Sequence, residues 1–185
     1  MAGNKLFMLL LGCKPKGRHT EQHDTFFTIG KSLKEIIPDI EAFWPDGGRI
    51  HIDAWREVNT VEGYRISITK KKEPTEKTTQ LFFLNLGGYK PGEFEEYHYK
   101  MIVAAKDKAT AILQAKQSAF YLHTGFKGAS SHIDDKYGVD VDDCYDIEDI
   151  LPAAVKEKFS IKLIPSKKAA TDPLKIGYTN LSKIK

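Results

Sequence analysis

The chain has little of what marks the commonest specialised classes. Its 185 residues include two cysteines, Cys13 and Cys144. Their spacing suits neither a metal knuckle nor a redox pair, which excludes a disulfide framework and points to a reducing compartment. No apolar run approaches the ~18 residues that a membrane-spanning helix needs. Charge of one sign is missing as well: 28 Lys and Arg stand against 25 Asp and Glu, a net of +3. That balance makes no case for nucleic acid, whose binders carry a clustered basic face. The basic runs at Lys70-Lys71-Lys72 and at the C-terminus read as solvated edges. No complete Gly-x-x-x-x-Gly-Lys-Ser/Thr loop, Gly-x-Gly-x-x-Gly fingerprint or His-Glu-x-x-His metalloprotease motif occurs either.

What is present suffices for a packed core. The hydrophobic fraction is 41%, with 11% aromatics, and the 29% of charged residues keeps the surface solvated. Near the N-terminus, Lys5 precedes an apolar run, Leu6 to Leu11, and Leu10-Leu11-Gly12-Cys13 has the look of a lipoprotein cleavage box. A near copy of that run lies in mid-chain, Leu81-Phe82-Phe83-Leu84-Asn85-Leu86-Gly87. A mid-chain copy cannot be a signal peptide, so both runs are expected to be buried β-strands and the chain is expected to be cytoplasmic.

The copy extends further. Shifting the chain by 75 lays residues 6–23 on 81–98 without a gap, with identities at Leu6/Leu81, Phe7/Phe82, Leu9/Leu84, Leu11/Leu86, Gly12/Gly87, Gly17/Gly92, Glu21/Glu96 and His23/His98. Eight of eighteen positions agree, where chance gives about one. His51-Ile52-Asp53 then answers to His132-Ile133-Asp134, and Glu62, Tyr64 and Ile66 answer to Glu157, Phe159 and Ile161, with growing shifts that imply loop insertions.

The expected fold is α+β, a tandem duplication of a ββαββ-like unit packed with pseudo-twofold symmetry. The first repeat spans 1–70, a linker 71–80, and a second repeat 81–165 with a helical insertion at 144–156. A basic tail covers 166–185, with an edge strand around Ile176-Gly177-Tyr178. Ser32 and Glu35 form a capping box opening a helix with Leu33, Ile36, Ile37 and Ile40 on one face, kinked or restarted at Pro38. Asp107 takes the Ser32 position in the second copy, with Ala109, Ile112, Leu113 and Phe120 as its apolar stripe. The glycines after the first strand of each copy are expected to make tight loops. Cys13 and Cys144 are read as small buried hydrophobes. The acidic stretch from Asp134-Asp135 to Asp140–Asp143 lacks the glycine and closing glutamate of a Ca²⁺ loop and is read as a solvated connection.

The residues able to carry chemistry are Glu21, His23, Asp24, His51 and Asp53, with Glu96, His98, His132 and Asp134 in the second copy. Glu-x-His and His-x-Asp each set two side chains on one face of a strand, because the strand period is two. Converging, such groups make a site for Zn, Mn or Fe, or orient a water for acid–base hydrolysis. Paired with backbone at a sheet edge, they only hold loops. The preferred reading is the structural one, since a duplicated catalytic centre usually survives in one half only, and Asp24 is already Tyr99 in the second copy.

Leu-Phe-x-Leu-x-Leu-Gly, then Glu-x-His-Asp, His-Ile-Asp and Gly-Tyr-x-Ile resemble an uncharacterised bacterial family, domain of unknown function 1543. Its members carry one or two copies of the domain. The resemblance covers about 6–69 and 81–178, best in the first half, and departs at Tyr99. It implies a bacterial source and no assigned activity, cofactor or partner. The function expected is therefore that of a non-catalytic binding or interaction protein, its partner a protein or a second copy docking on an exposed sheet edge. The alternative is a metal-dependent hydrolase built on the Glu-x-His and His-x-Asp groups, with a divalent metal as cofactor.

Overall fold

The computed structural model describes residues 3–71, 78–89, 92–117, 140–167 and 171–184. The chain is mixed α and β, mostly sheet, and divides into two compact units: Met1–Pro74 with Ile150–Lys185, and Thr75–Asp149. No helix among the described residues is long and apolar enough to cross a membrane.

In the first unit, β1 (Lys5–Cys13) runs antiparallel between β2 (Gln22–Gly30) and β3 (His51–Val58). This central place explains the continuous apolar run, because neighbours satisfy the backbone on both sides and the strand lies inside the sheet. Phe7, Leu9 and Leu11 project from alternate positions of β1 into a cluster with Phe26, Ile36, Ile40 and Ile52. Each side chain so buried contributes roughly 1.5–3 kcal/mol, an upper figure since the denatured chain already hides part of it.

The residues expected to open the first helix make a turn instead. Ser32 Oγ accepts from the Glu35 amide at 3.4 Å, and Glu35 Oε2 accepts from the Lys31 amide at 2.6 Å. Ser32 thus caps Glu35, while Glu35 reaches back to Lys31 rather than Ser32, and the helix α1 begins only at Ile37 (Ile37–Phe43), with Pro38 in its first turn, where a missing amide proton costs nothing.

β4 (Thr60–Val61) and β5 (Tyr64–Lys70) form a hairpin whose two-residue loop is Glu62-Gly63, with φ of 45° and 83°. Positive φ at both positions is the signature of the twisted turn that suits a two-residue connection. Later in the chain, Ile150–Lys185 returns β9 (Phe159–Pro165), which pairs with β5, and β10 (Lys175–Asn180), which pairs with the open side of β3. The last sheet strand was expected around Ile176-Gly177-Tyr178. Asp172 caps the β3–β4 turn, its Oδ2 accepting from the Asn59 and Thr60 amides at 2.8 and 3.1 Å.

In the second unit, β6 (Gln80–Tyr89) is the central strand between β7 (Glu96–Ala105) and β8 (Asp140–Asp146). Phe82, Leu84, Leu86, Val103, Ala105 and Cys144 make its core with a helix, α2 (Lys108–Lys116). Asp107 caps α2 as expected, Oδ1 accepting from the Thr110 amide at 2.7 Å. The apolar stripe differs from the expected one: Ala111 and Ala115 are buried while Ala109 and Leu113 are exposed, because two alanines let the helix sit close on the sheet. Phe120 lies outside the described residues.

Two further corrections concern the acidic segment. Asp140–Asp146 is strand β8, not a solvated connection, and the helix within 144–156 is confined to α3 (Ala153–Lys156), preceded by Pro152. Four carboxylates on a strand are tolerated because β8 lies on the outside of its sheet, with Val141 and Cys144 packed against the core.

Candidate metal centre

The site forms where three strands of the first unit meet. In the register, Gly12 of β1 stands opposite His23 of β2 on one side and opposite His51 of β3 on the other. Residues level with each other on neighbouring strands share a face. The two histidines therefore flank Gly12, and Glu21, just before β2, and Asp53, at the register shift in β3, join them from two positions away. Asp24 is one residue out of phase; its carboxylate caps the Thr25 amide at 2.7 Å, and it stands apart from the group.

The four side chains do converge. His23 Nε2 lies 3.1 Å from Asp53 Oδ2 and 3.7 Å from Glu21 Oε2, while His51 Nε2 lies 3.3 Å from Asp53 Oδ1 and 3.4 Å from Glu21 Oε1. Each carboxylate thus turns one oxygen to each imidazole. Donors held about 2.1 Å from a tetrahedral ion stand about 3.4 Å apart, the value these separations bracket. Donor atoms of Glu21, His23 and His51 all lie within 4.8 Å of one another.

The shortest of these approaches is not a hydrogen bond. Asp53 Oδ2 is buried and accepts none, although His23 Nε2 is 3.1 Å away. An N–H on that nitrogen is off-axis to the oxygen. Nitrogen and oxygen atoms gathered at contact distance without being aimed at each other are arranged around a shared point.

The site is buried at its base and open above. The His51 side chain is 5% exposed, against 43% for His23 and 48% for Glu21. The Tyr178 ring of β10 packs on the His51 imidazole, centroids 4.4 Å apart, and fixes its plane. Gly12 supplies the room: a Cβ there would collide with His51 Nε2 and stand 2.7 Å from Asp53 Oδ2. Gly12 was expected to make a tight loop. It lies instead within a strand, and the positive φ of 81° belongs to Gly17 in the loop beyond.

Cys13 adjoins Gly12 but takes no part. Its side chain is buried, and burial pushes the thiol up, with the Glu21 charge adding to the shift. Gly30-Lys31-Ser32 carries the end of a phosphate-loop pattern with Thr25 where the first glycine belongs, and its Lys31 amide is occupied by Glu35.

In the second unit Glu96 and His98 occupy the places of Glu21 and His23, with His98 opposite Gly87. His132 and Asp134 lie outside the described residues. The strand opposite Gly87 is β8, where Asp140 is level with Gly87 as His51 is with Gly12. The register counterpart of Asp53 is thus Asp142, which sequence reasoning placed in a solvated connection. Its signal was present as Asp-Val-Asp, matching His-Ile-Asp in alternation though not in identity.

Residues 18–68 match the family model described as Domain of Unknown Function (DUF1543). In fold the chain is similar to the crystal structure of a protein Il1583 from Idiomarina loihiensis. The TM-score is 0.65 at 23% identity, covering 98% of this chain and 99% of that one. None of the curated proteins matches it. The matched segment holds Glu21, His23, His51 and Asp53 together. The likeness to the DUF1543 family thus covers residues 18–68, the segment that holds all four converging side chains.

Proposed function

We propose that this protein binds a divalent transition-metal ion of the Zn²⁺ class through Glu21, His23, His51 and Asp53. The observation that carries the reading is the convergence of two imidazoles and two carboxylates above Gly12 at ligand-edge separations, with the buried Asp53 Oδ2 left without a hydrogen bond. Two nitrogen and two oxygen donors suit a borderline cation better than a hard one. An imidazole only 5% exposed beside two carboxylates is an unusual investment, and a metal–nitrogen bond accounts for it.

Titration of chelator-treated protein with Zn²⁺, followed calorimetrically, tests the reading. One tight equivalent is expected in the wild type and none in His23→Ala/His51→Ala that is still folded by circular dichroism. Tight binding that survives in the double variant, or none in the wild type, would overturn it.

A second reading, metal-assisted hydrolysis, is favoured by the half-exposed Glu21 and His23, which leave the ion's outer side open to water. A bound water is acidified by such an ion, and a carboxylate released from the metal would take its proton. Zn²⁺-dependent turnover of an activated phosphate or carboxylate ester, abolished by His51→Ala, separates this from simple binding.

We also infer that the two halves arose by duplication. Adding 75 to both members of every β1–β2 pair, from Lys5↔Gly30 to Cys13↔Gln22, yields β6–β7 pairs, from Gln80↔Ala105 to Gly88↔Tyr97. Each central strand also carries an irregularity at the same place, Leu10/Leu11 and Asn85/Leu86.

A further inference from the structure

We infer that the second unit holds a second cation site, made by Glu96, His98 and Asp142, which takes a harder divalent ion of the Mn²⁺ class and binds it more weakly. The inference rests on the reading of the first centre, because the register that builds that centre is what recurs here.

The geometry is that of the first centre with one imidazole removed. His98 Nε2 lies 3.5 Å from Asp142 Oδ2 and 3.8 Å from Glu96 Oε2, and donor atoms of the three residues lie within 4.8 Å of one another. The floor is again a glycine with no room to spare. A Cβ on Gly87 would collide with Asp142 Oδ2 and stand 2.8 Å from Glu96 Oε1. Two carboxylates drawn over one backbone position repel each other, and a cation between them removes the repulsion.

The surroundings favour a cation as well. At the shift of 75, the hairpin loop that reads Arg18-His19-Thr20 before Glu21 reads Glu93-Phe94-Glu95 before Glu96. Glu93 and Glu95 thus bring two negative charges beside Glu96 where the first copy has none. Such a local field attracts divalent ions.

The donor set decides which ion. Where the first centre has His51, the register places Asp140, so the ligand set loses its buried nitrogen. One imidazole with two carboxylates is a harder set than that of the first centre, and it suits Mn²⁺, which oxygen donors hold well. All three side chains are about one-third exposed, so the ion keeps much of its water and affinity is modest.

The experiment uses the full-length His23→Ala/His51→Ala protein, in which the first centre is silent, and follows free Mn²⁺ by its electron paramagnetic resonance signal. One equivalent is expected to bind with a dissociation constant on the order of 10⁻⁴ M, the range of weak, water-exposed oxygen sites. Adding Glu96→Gln and Asp142→Asn, which keep shape and remove charge, is expected to weaken it at least about tenfold. No uptake up to about 1 mM by the folded double variant, or uptake indifferent to the added substitutions, would overturn the inference. Failure of the first reading shows separately, as absence of tight Zn²⁺ binding in the wild type.

Discussion

At Gly12 a single hydrogen in place of a methyl group decides whether the first centre exists. Gly12→Ala drives a methyl into His51 Nε2, so it is expected to abolish tight Zn²⁺ binding and to cost about 1–3 kcal/mol in stability by overpacking. Gly17→Ala is the natural control. Nothing lies near its absent Cβ, but its φ of 81° is left-handed. It is expected to cost about 1–2 kcal/mol while Zn²⁺ binding persists. Urea unfolding and calorimetric titration of the two variants check this together. The thiols offer another residue-level test. Cys13 and Cys144 are both buried and both held above the ordinary cysteine range by that burial, with Lys108 opposing the shift at Cys144. Neither is expected to react rapidly with an aromatic disulfide reagent at pH 8 until the protein is unfolded, when both should. The four candidate ligands were legible from the two-residue spacing of Glu-x-His and His-x-Asp. The part played by Gly12 was not, since it depends on which residues stand beside it on two other strands.

Individual elements are held by single carboxylates. Asp172, distant in sequence, accepts from two amides of the β3–β4 turn. Asp172→Ala leaves both amides without their partner and is expected to cost about 1–3 kcal/mol in chemical denaturation, with Asp172→Asn costing less because an acceptor remains. Asp107 at the start of α2 gives a pH signature instead. Its carboxyl is held below the ordinary aspartate range by the Thr110 hydrogen bond, aided by Lys106. A depressed folded-state value means that the stabilisation is present above the unfolded aspartate range and is lost as pH falls through the folded one. Thermal unfolding between pH 6 and pH 2 is expected to show this loss in the wild type and a smaller one in Asp107→Asn, where an uncharged oxygen still caps the helix. Runs of apolar residues made β1 and β6 readable, and Asp107 was readable as a cap from its place before the helix. β8 was not readable, because aspartate is rare in strands and Asp140–Asp146 carries four of them. Pairing with β6 overrides that local preference, and a pairing partner some sixty residues away leaves no mark in a short window.

On the scale of the whole chain, sequence repetition and strand register tell one story. The shift of 75 seen between residues 6–23 and 81–98 reappears as identical pairing of β1 with β2 and of β6 with β7. For the third strand, His132–Asp134, matched in sequence at a shift of 81, lie outside the described residues. The structure pairs β8, so that a shift of 89 relates Asp53 to Asp142. The inferred ancestor thus brought one open, glycine-floored polar site, and the copies diverged in donor set: two imidazoles and two carboxylates in the first, one imidazole and two carboxylates in the second. Zinc in the first centre is the claim on which the account turns. Crystals grown with one equivalent of Zn²⁺ and measured on both sides of the zinc absorption edge test it directly. The account expects an anomalous peak about 2.1 Å from His23 Nε2 and His51 Nε2, with oxygens of Glu21 and Asp53 completing the shell. A zinc-loaded crystal with no peak between those four side chains would contradict it.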